Sequence, residues 1–144
     1  MREDMNHLTM EDVSKRENTT AMAFLGDAVY ELYIRDHVMK SGVVDADKLH
    51  RLAVRYVRAE AQAKVVRYLL KEEGALSELE TALVKRARNK RSTSKSRSAG
   101  PADYKLATAF EALLGGLWMA GEEERCRKIM AIAVKITEEK GRLN

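Results

Sequence analysis

Cysteine and proline each occur once in the 144 residues. A lone thiol, Cys126, excludes an intrachain disulfide and a thiolate metal centre; an interchain bridge is the lesser alternative to a free thiol in a reducing cytoplasm. With one proline, Pro101, almost nothing interrupts a helical backbone. Aromatic residues are only 6% of the chain, and none interleaves with its basic run. That argues against single-strand recognition by base stacking. No stretch approaches the ~18 apolar residues of a membrane span, and the opening residues do not resemble a signal peptide. A soluble protein with no membrane partner is expected. The histidines His7, His37 and His50 show no metal-ligand spacing and are assigned ordinary surface or capping roles.

What is present is 45% hydrophobic content, enough for the core of one domain, in a sequence dominated by Ala, Leu, Lys, Arg and Glu. The fold class is therefore all-α. The formal net charge of +4 hides an asymmetry: seven of the 26 basic residues (Lys85, Arg86, Arg88, Lys90, Arg91, Lys95 and Arg97) fall in one short segment without an acid. Elsewhere the 22 acidic residues outnumber the basic ones. Such local basicity points to phosphate contact with a polyanionic partner.

In chain order, residues 1–18 read as a polar, loosely held arm, with Thr9 and Asp12 spaced for a short capped turn at most. A helix is expected from Thr19 or Thr20 as N-cap to about Lys40, stopped by Gly42. Along it Ala21, Leu25, Ala28, Leu32 and Arg35 recur at helical spacing, and Ala23, Asp27 and Glu31 form a second row. Asp45 caps a further helix over 46–73, with Leu49, Leu52, Ala53, Tyr56, Val57, Ala63, Val66, Leu69 and Leu70 inward. Ser77 and Glu80 form a capping box for a helix reaching Lys90. Residues 91–100 are serine-rich and aperiodic, a flexible basic loop. Pro101 opens a helix over about 102–120, and a last amphipathic helix spans about 122–140 with Ile129, Ile132, Ala133 and Ile136 inward. No strand is expected.

Two acids stand where apolar helices should not want them. Asp27 lies within Met22-Ala23-Phe24-Leu25-Gly26-Asp27-Ala28-Val29-Tyr30, and Glu111 within Ala107-Thr108-Ala109-Phe110-Glu111-Ala112-Leu113-Leu114-Gly115. A buried carboxylate requires a cation, a set of hydrogen bonds or a solvent-lined groove. Meeting across a helix interface, the pair would offer hard oxygens to Mg²⁺, which can polarise a phosphodiester and activate water. The plainer reading is a solvated or salt-bridged acid; Arg35 competes in this way for Glu31, itself a candidate third ligand. Gly26 costs a helix roughly 1 kcal/mol against alanine, which suggests a close approach beside the acid. Gly115-Gly116 suggests the same.

At these residues the chain resembles the ribonuclease III catalytic domain, and more closely its short Mini-ribonuclease III branch. The matching segments are Ala23-Phe24-Leu25-Gly26-Asp27-Ala28 and Thr108-Ala109-Phe110-Glu111-Ala112-Leu113-Leu114-Gly115-Gly116, in the family's order and separation. Lys48-Leu49-His50 and Val57-Arg58-Ala59-Glu60-Ala61-Gln62-Ala63 also look like the Mini-III branch. Two of the family's four site acids are replaced here, by Ala23 and Thr108, so only Asp27 and Glu111 carry over as metal-binding and catalytic residues. The resemblance implies a single helical endonuclease domain over 19–140, a homodimer, and a Mg²⁺-dependent endoribonuclease cutting double-stranded RNA. It further implies a large-subunit ribosomal RNA precursor as substrate, association with the pre-ribosome or a ribosomal protein, and a bacterial cytoplasm. No separate double-stranded-RNA-binding domain is expected, and the basic residues from Lys85 to Arg97 would grip the duplex instead. The rival readings are a non-catalytic RNA-binding dimer with a degenerate site and a plain helical interaction protein.

Overall fold

The computed structural model describes residues 8–15, 18–90 and 100–143. Among the described residues there are seven helices and no strand: α1 (Met10–Lys15), α2 (Thr19–Met39), α3 (Ala46–Val57), α4 (Ala59–Lys71), α5 (Glu78–Asn89), α6 (Pro101–Met119) and α7 (Glu123–Leu143). None is long and apolar enough to cross a membrane. The expected basic loop lies largely outside the described residues, Arg91, Lys95 and Arg97 with it.

Local chemistry accounts for most helix ends. The Asp45 carboxylate accepts from Lys48 N at 3.1 Å, and Ser77 with Glu80 closes the capping box on α5. The cap of α2 is Asn18 rather than Thr19 or Thr20; its Oδ1 accepts from both Thr20 N and Ala21 N. Thr19 is instead buried.

Two expectations fail for tertiary reasons. The run 46–73 is not one helix, because the chain turns a corner at Arg58 (φ −66°, ψ 155°) between α3 and α4. Of its expected inward residues, Ala53, Ala63, Val66 and Leu69 are buried, while Leu49, Leu52, Tyr56, Val57 and Leu70 pack half-buried against them. Nor is the N-terminal segment loose from Thr9 to Lys15. Thr9 and Asp12 cap each other's ends of a turn, Val13 is fully buried, and the Arg86 guanidinium donates to the carbonyls of Val13 and Ser14.

Helix α6 is the axis of the domain, with contacts to α1, α2, α4, α5 and α7. Its buried residues run almost without break from Leu106 to Leu117, which is the pattern of a helix surrounded on all sides. Against it α2 buries Met22, Ala23, Gly26, Tyr30, Ile34 and Val38, and the Tyr30 ring meets the edge of Phe110 at 5.0 Å. The Ala21, Leu25, Ala28, Leu32 row therefore faces away from the core. A Cβ on Gly26 would fall 1.7 Å from the Glu111 carbonyl oxygen, and one on Gly115 would fall 1.9 Å from that of Met22. The two backbones touch here. The roughly 1 kcal/mol that glycine costs a helix is small beside such an overlap, so the crossing itself requires both residues.

Candidate active site

That crossing sets Asp27 on α2 beside Glu111 on α6. The two side chains stand near enough for the Asp27 carboxylate to bear directly on Glu111. Asp27 is exposed and Glu111 half-buried, so the pair opens to solvent on the Asp27 side. Burial, reinforced by the neighbouring Asp27 charge, pushes the Glu111 carboxyl up to about 8, against the pull of a hydrogen bond from Gln62. Among the described residues neither acid is salt-bridged to a lysine or arginine.

Two hard oxygen donors that repel one another, without a basic neighbour, suit a divalent cation. Among the described residues no group of three or more His, Cys, Asp or Glu gathers into a cage. The donor set thus fits an ion that accepts one or two carboxylates and keeps water or substrate oxygens in its other positions, as Mg²⁺ does.

The remaining sequence candidates separate clearly. Glu31 accepts from Arg35 Nε at 3.1 Å, the i, i+4 pairing that competed with a ligand role, while its charge still bears on Glu111. Ala23 is buried against the core and the Thr108 hydroxyl donates to Tyr104 O within its own helix, so neither supplies an acid's function. His37 bonds to Glu138, which also accepts from the Tyr56 hydroxyl at 2.8 Å; this ties α2, α3 and α7 together. Cys126 is buried at 0% exposure, with burial lifting its thiol to about 11, and an interchain bridge through it has no access.

The basic segment is divided in its duties. Lys85 is exposed; Arg86 is committed to the α1 carbonyls; Lys90 donates to the Thr20 hydroxyl at 2.6 Å. Arg88 lines a recess of about 580 Å³ together with Arg67, Lys71 and Lys105. These last three escaped sequence reasoning because they come from α4 and α6, although the i, i+4 spacing of Arg67 and Lys71 marks one basic helix edge. Arg67 also pairs with Asp103.

Comparison with known proteins agrees with the geometry. The ribonuclease III domain family matches residues 20–122, which include both acids and the crossing glycines. A Mini-ribonuclease 3 of Brevibacillus brevis is 45% identical over 121 residues, covering 84% of this chain and 88% of that protein. One from Symbiobacterium thermophilum is 41% identical over 117 residues, covering 81% and 88%. A crystal structure of a Fusobacterium nucleatum protein superposes with a TM-score of 0.74 at 31% identity, covering 86% of this chain and 96% of that one. With the paired acids, the glycine crossing and these relatives in agreement, the chain belongs to the ribonuclease III family, in its Mini-ribonuclease III branch.

Proposed function

We propose that this protein is a Mg²⁺-dependent endoribonuclease that cleaves double-stranded RNA. The observation that carries the reading is the pair of mutually repelling carboxyls of Asp27 and Glu111, uncompensated by a described basic side chain and open to solvent on one side. Asp27 and Glu111 would hold the ion, which when bound supplies a Lewis acid and a water activated for attack on phosphorus. Asp27, the exposed member, meets the incoming backbone, and Glu111 anchors the site to the core. Lys85, Arg88 and the basic recess bind phosphates away from the scissile bond; Arg91, Lys95 and Arg97 extend that role.

A-form RNA is read through phosphates, 2′-hydroxyls and shape, and its antiparallel strands suit a two-fold symmetric partner. A homodimer is supported by the apolar outer side of α2, where Phe24 is 83% and Leu32 72% exposed beside Leu25 and Ala28. Exposed apolar area of this kind, next to the acids, suits a second copy of the chain. The family relationship extends the reading to a large-subunit ribosomal RNA precursor in a bacterial cytoplasm, with pre-ribosome association.

Incubation with duplex RNA in Mg²⁺ and then in chelator tests the activity. Asp27→Asn should reduce cleavage by about 10³-fold, equivalent to ~4 kcal/mol of transition-state stabilisation, while leaving RNA binding intact. Wild-type cleavage by that variant would remove the proposed site. Binding without any cutting by the unaltered protein would leave the non-catalytic RNA-binding reading.

A further inference from the structure

Gln62, on the first turn of α4, is 2% exposed and flanked by the buried Ala61 and Ala63. An amide in such a place costs about 1–3 kcal/mol wherever its polar atoms go unmatched, and Oε1 has no partner among the described residues. Leucine or methionine would fill the space without that cost, so packing alone does not explain a glutamine here.

Its other end is fully used. Nε2 donates to Val57 O at 2.7 Å and to Glu111 Oε2 at 3.3 Å, one bond for each amide hydrogen. The Val57 carbonyl fixes which way the amide faces, because the reverse orientation would set oxygen against oxygen. That carbonyl is available only because of the corner at Arg58: Ala61 N, which would claim it in a continuous helix, donates instead to Arg58 O at 3.1 Å. A chain of contacts therefore runs from the α3–α4 corner through one amide to the half-buried Glu111.

Resting on the metal-dependent reading above, we propose that Gln62 is a positioning residue that fixes the Glu111 carboxylate beside Asp27 for a shared divalent cation. Partners that orient a ligand in this way typically contribute 10–100-fold to metal affinity or activity. Nothing about the residue type alone would reveal it. Its role depends on a helix break and on a second helix 49 positions away.

The test is Gln62→Leu in the full chain, with Mn²⁺ binding to the metal-free protein followed by electron paramagnetic resonance of the free ion. Mn²⁺ affinity should fall about 10–100-fold. In cleavage assays kcat should fall at low Mg²⁺ and recover at saturating Mg²⁺, with KM for RNA unchanged, a rescue that a purely structural role would not give. If the leucine variant does not fold, Gln62→Met, which is unbranched and of similar length, takes its place. Mn²⁺ affinity within twofold of wild type in a folded variant would overturn the inference, as would unfolding of both variants, which would assign the amide to the corner alone. Asp27→Asn separates this from the parent reading: if that change abolishes Mn²⁺ binding and the Gln62 variants do not weaken it, only the positioning role falls. Mn²⁺ binding indifferent to Asp27 would sink the two-acid site itself.

Discussion

Two glutamates at helix interfaces meet opposite fates in this domain. Glu80, 5% exposed, accepts from Arg125 Nε at 2.8 Å, from Arg125 Nη2 at 2.9 Å and from Ser77 N at 2.9 Å. Burial on its own would raise its carboxyl, but the hydrogen bonds and charge of Arg125, with Ser77, hold it below its ordinary 4.5. Glu111 has one long bond from an amide already shared with a backbone carbonyl, and an acid as its nearest charged neighbour. Burial is common to both. What separates a structural carboxylate from a chemically available one is whether the fold supplies its counter-charge, and at Glu111 it does not.

The largest break in that comparison should come from the backbone. Gly26→Ala drives a methyl into the Glu111 carbonyl, and we expect a loss of about 3 kcal/mol or more on the scale of overpacked cores, read as a lowered denaturant midpoint. Any folded fraction should cleave poorly, because the contact that sets the spacing of the two acids has been forced apart.

Next in size is Glu80→Gln, which strips the counter-charge from Arg125 and should destabilise the protein by about 2 kcal/mol, since hydrogen bonds to charged groups are each worth ~1.5–3. Glu111→Gln should do the opposite without metal. At pH 9 it removes a carboxylate facing Asp27 and should raise the melting temperature, whereas at pH 5, where Glu111 is already protonated, it should change little. A destabilisation by both substitutions at both pH values would erase the distinction between the two sites.

The smallest effect is the pH dependence itself, and its sign differs between the two residues. The folded Glu111 keeps its proton above the ordinary carboxylate value of 4.5, so its contribution to metal-free stability is full below that value and is lost as pH rises towards about 8. Mg²⁺ affinity should climb through the same window, because the ion displaces that proton. Glu80, with its carboxyl lowered, contributes above 4.5 and loses that contribution as acid is added. Thermal melts of the metal-free protein across pH 3 to 9, with each glutamine variant as control, check both slopes.

Much of the candidate site was legible because it is written in local terms. Asp27 and Glu111 stand out against apolar neighbours, and Gly26 and Gly115 advertise a contact too close for any side chain. The corner at Arg58 was not legible: α3 and α4 each carry good helix formers, and they part because α3 packs on α2 while α4 packs on α6. Arg86 looked like one more cation for RNA, and only its hydrogen bonds to the α1 carbonyls show the structural work it does. The burial of Val13 was hidden for the same reason, since a six-residue helix is held by what it packs on. On α2 apolar residues lie on opposite sides, so periodicity alone did not say that Tyr30 and Ile34 face inward while Phe24 and Leu32 face out.

Helix positions, most caps, the two acids and the glycines beside them were determined by the sequence, because propensity, capping and the cost of a buried charge act over a few neighbouring residues. Tertiary structure alone decided that those acids should share one opening, that Glu80 should be neutralised and Glu111 left uncompensated, and that an amide from a helix corner should reach the site. Those outcomes depend on distances between helices, and such distances are fixed only when the whole core packs around α6.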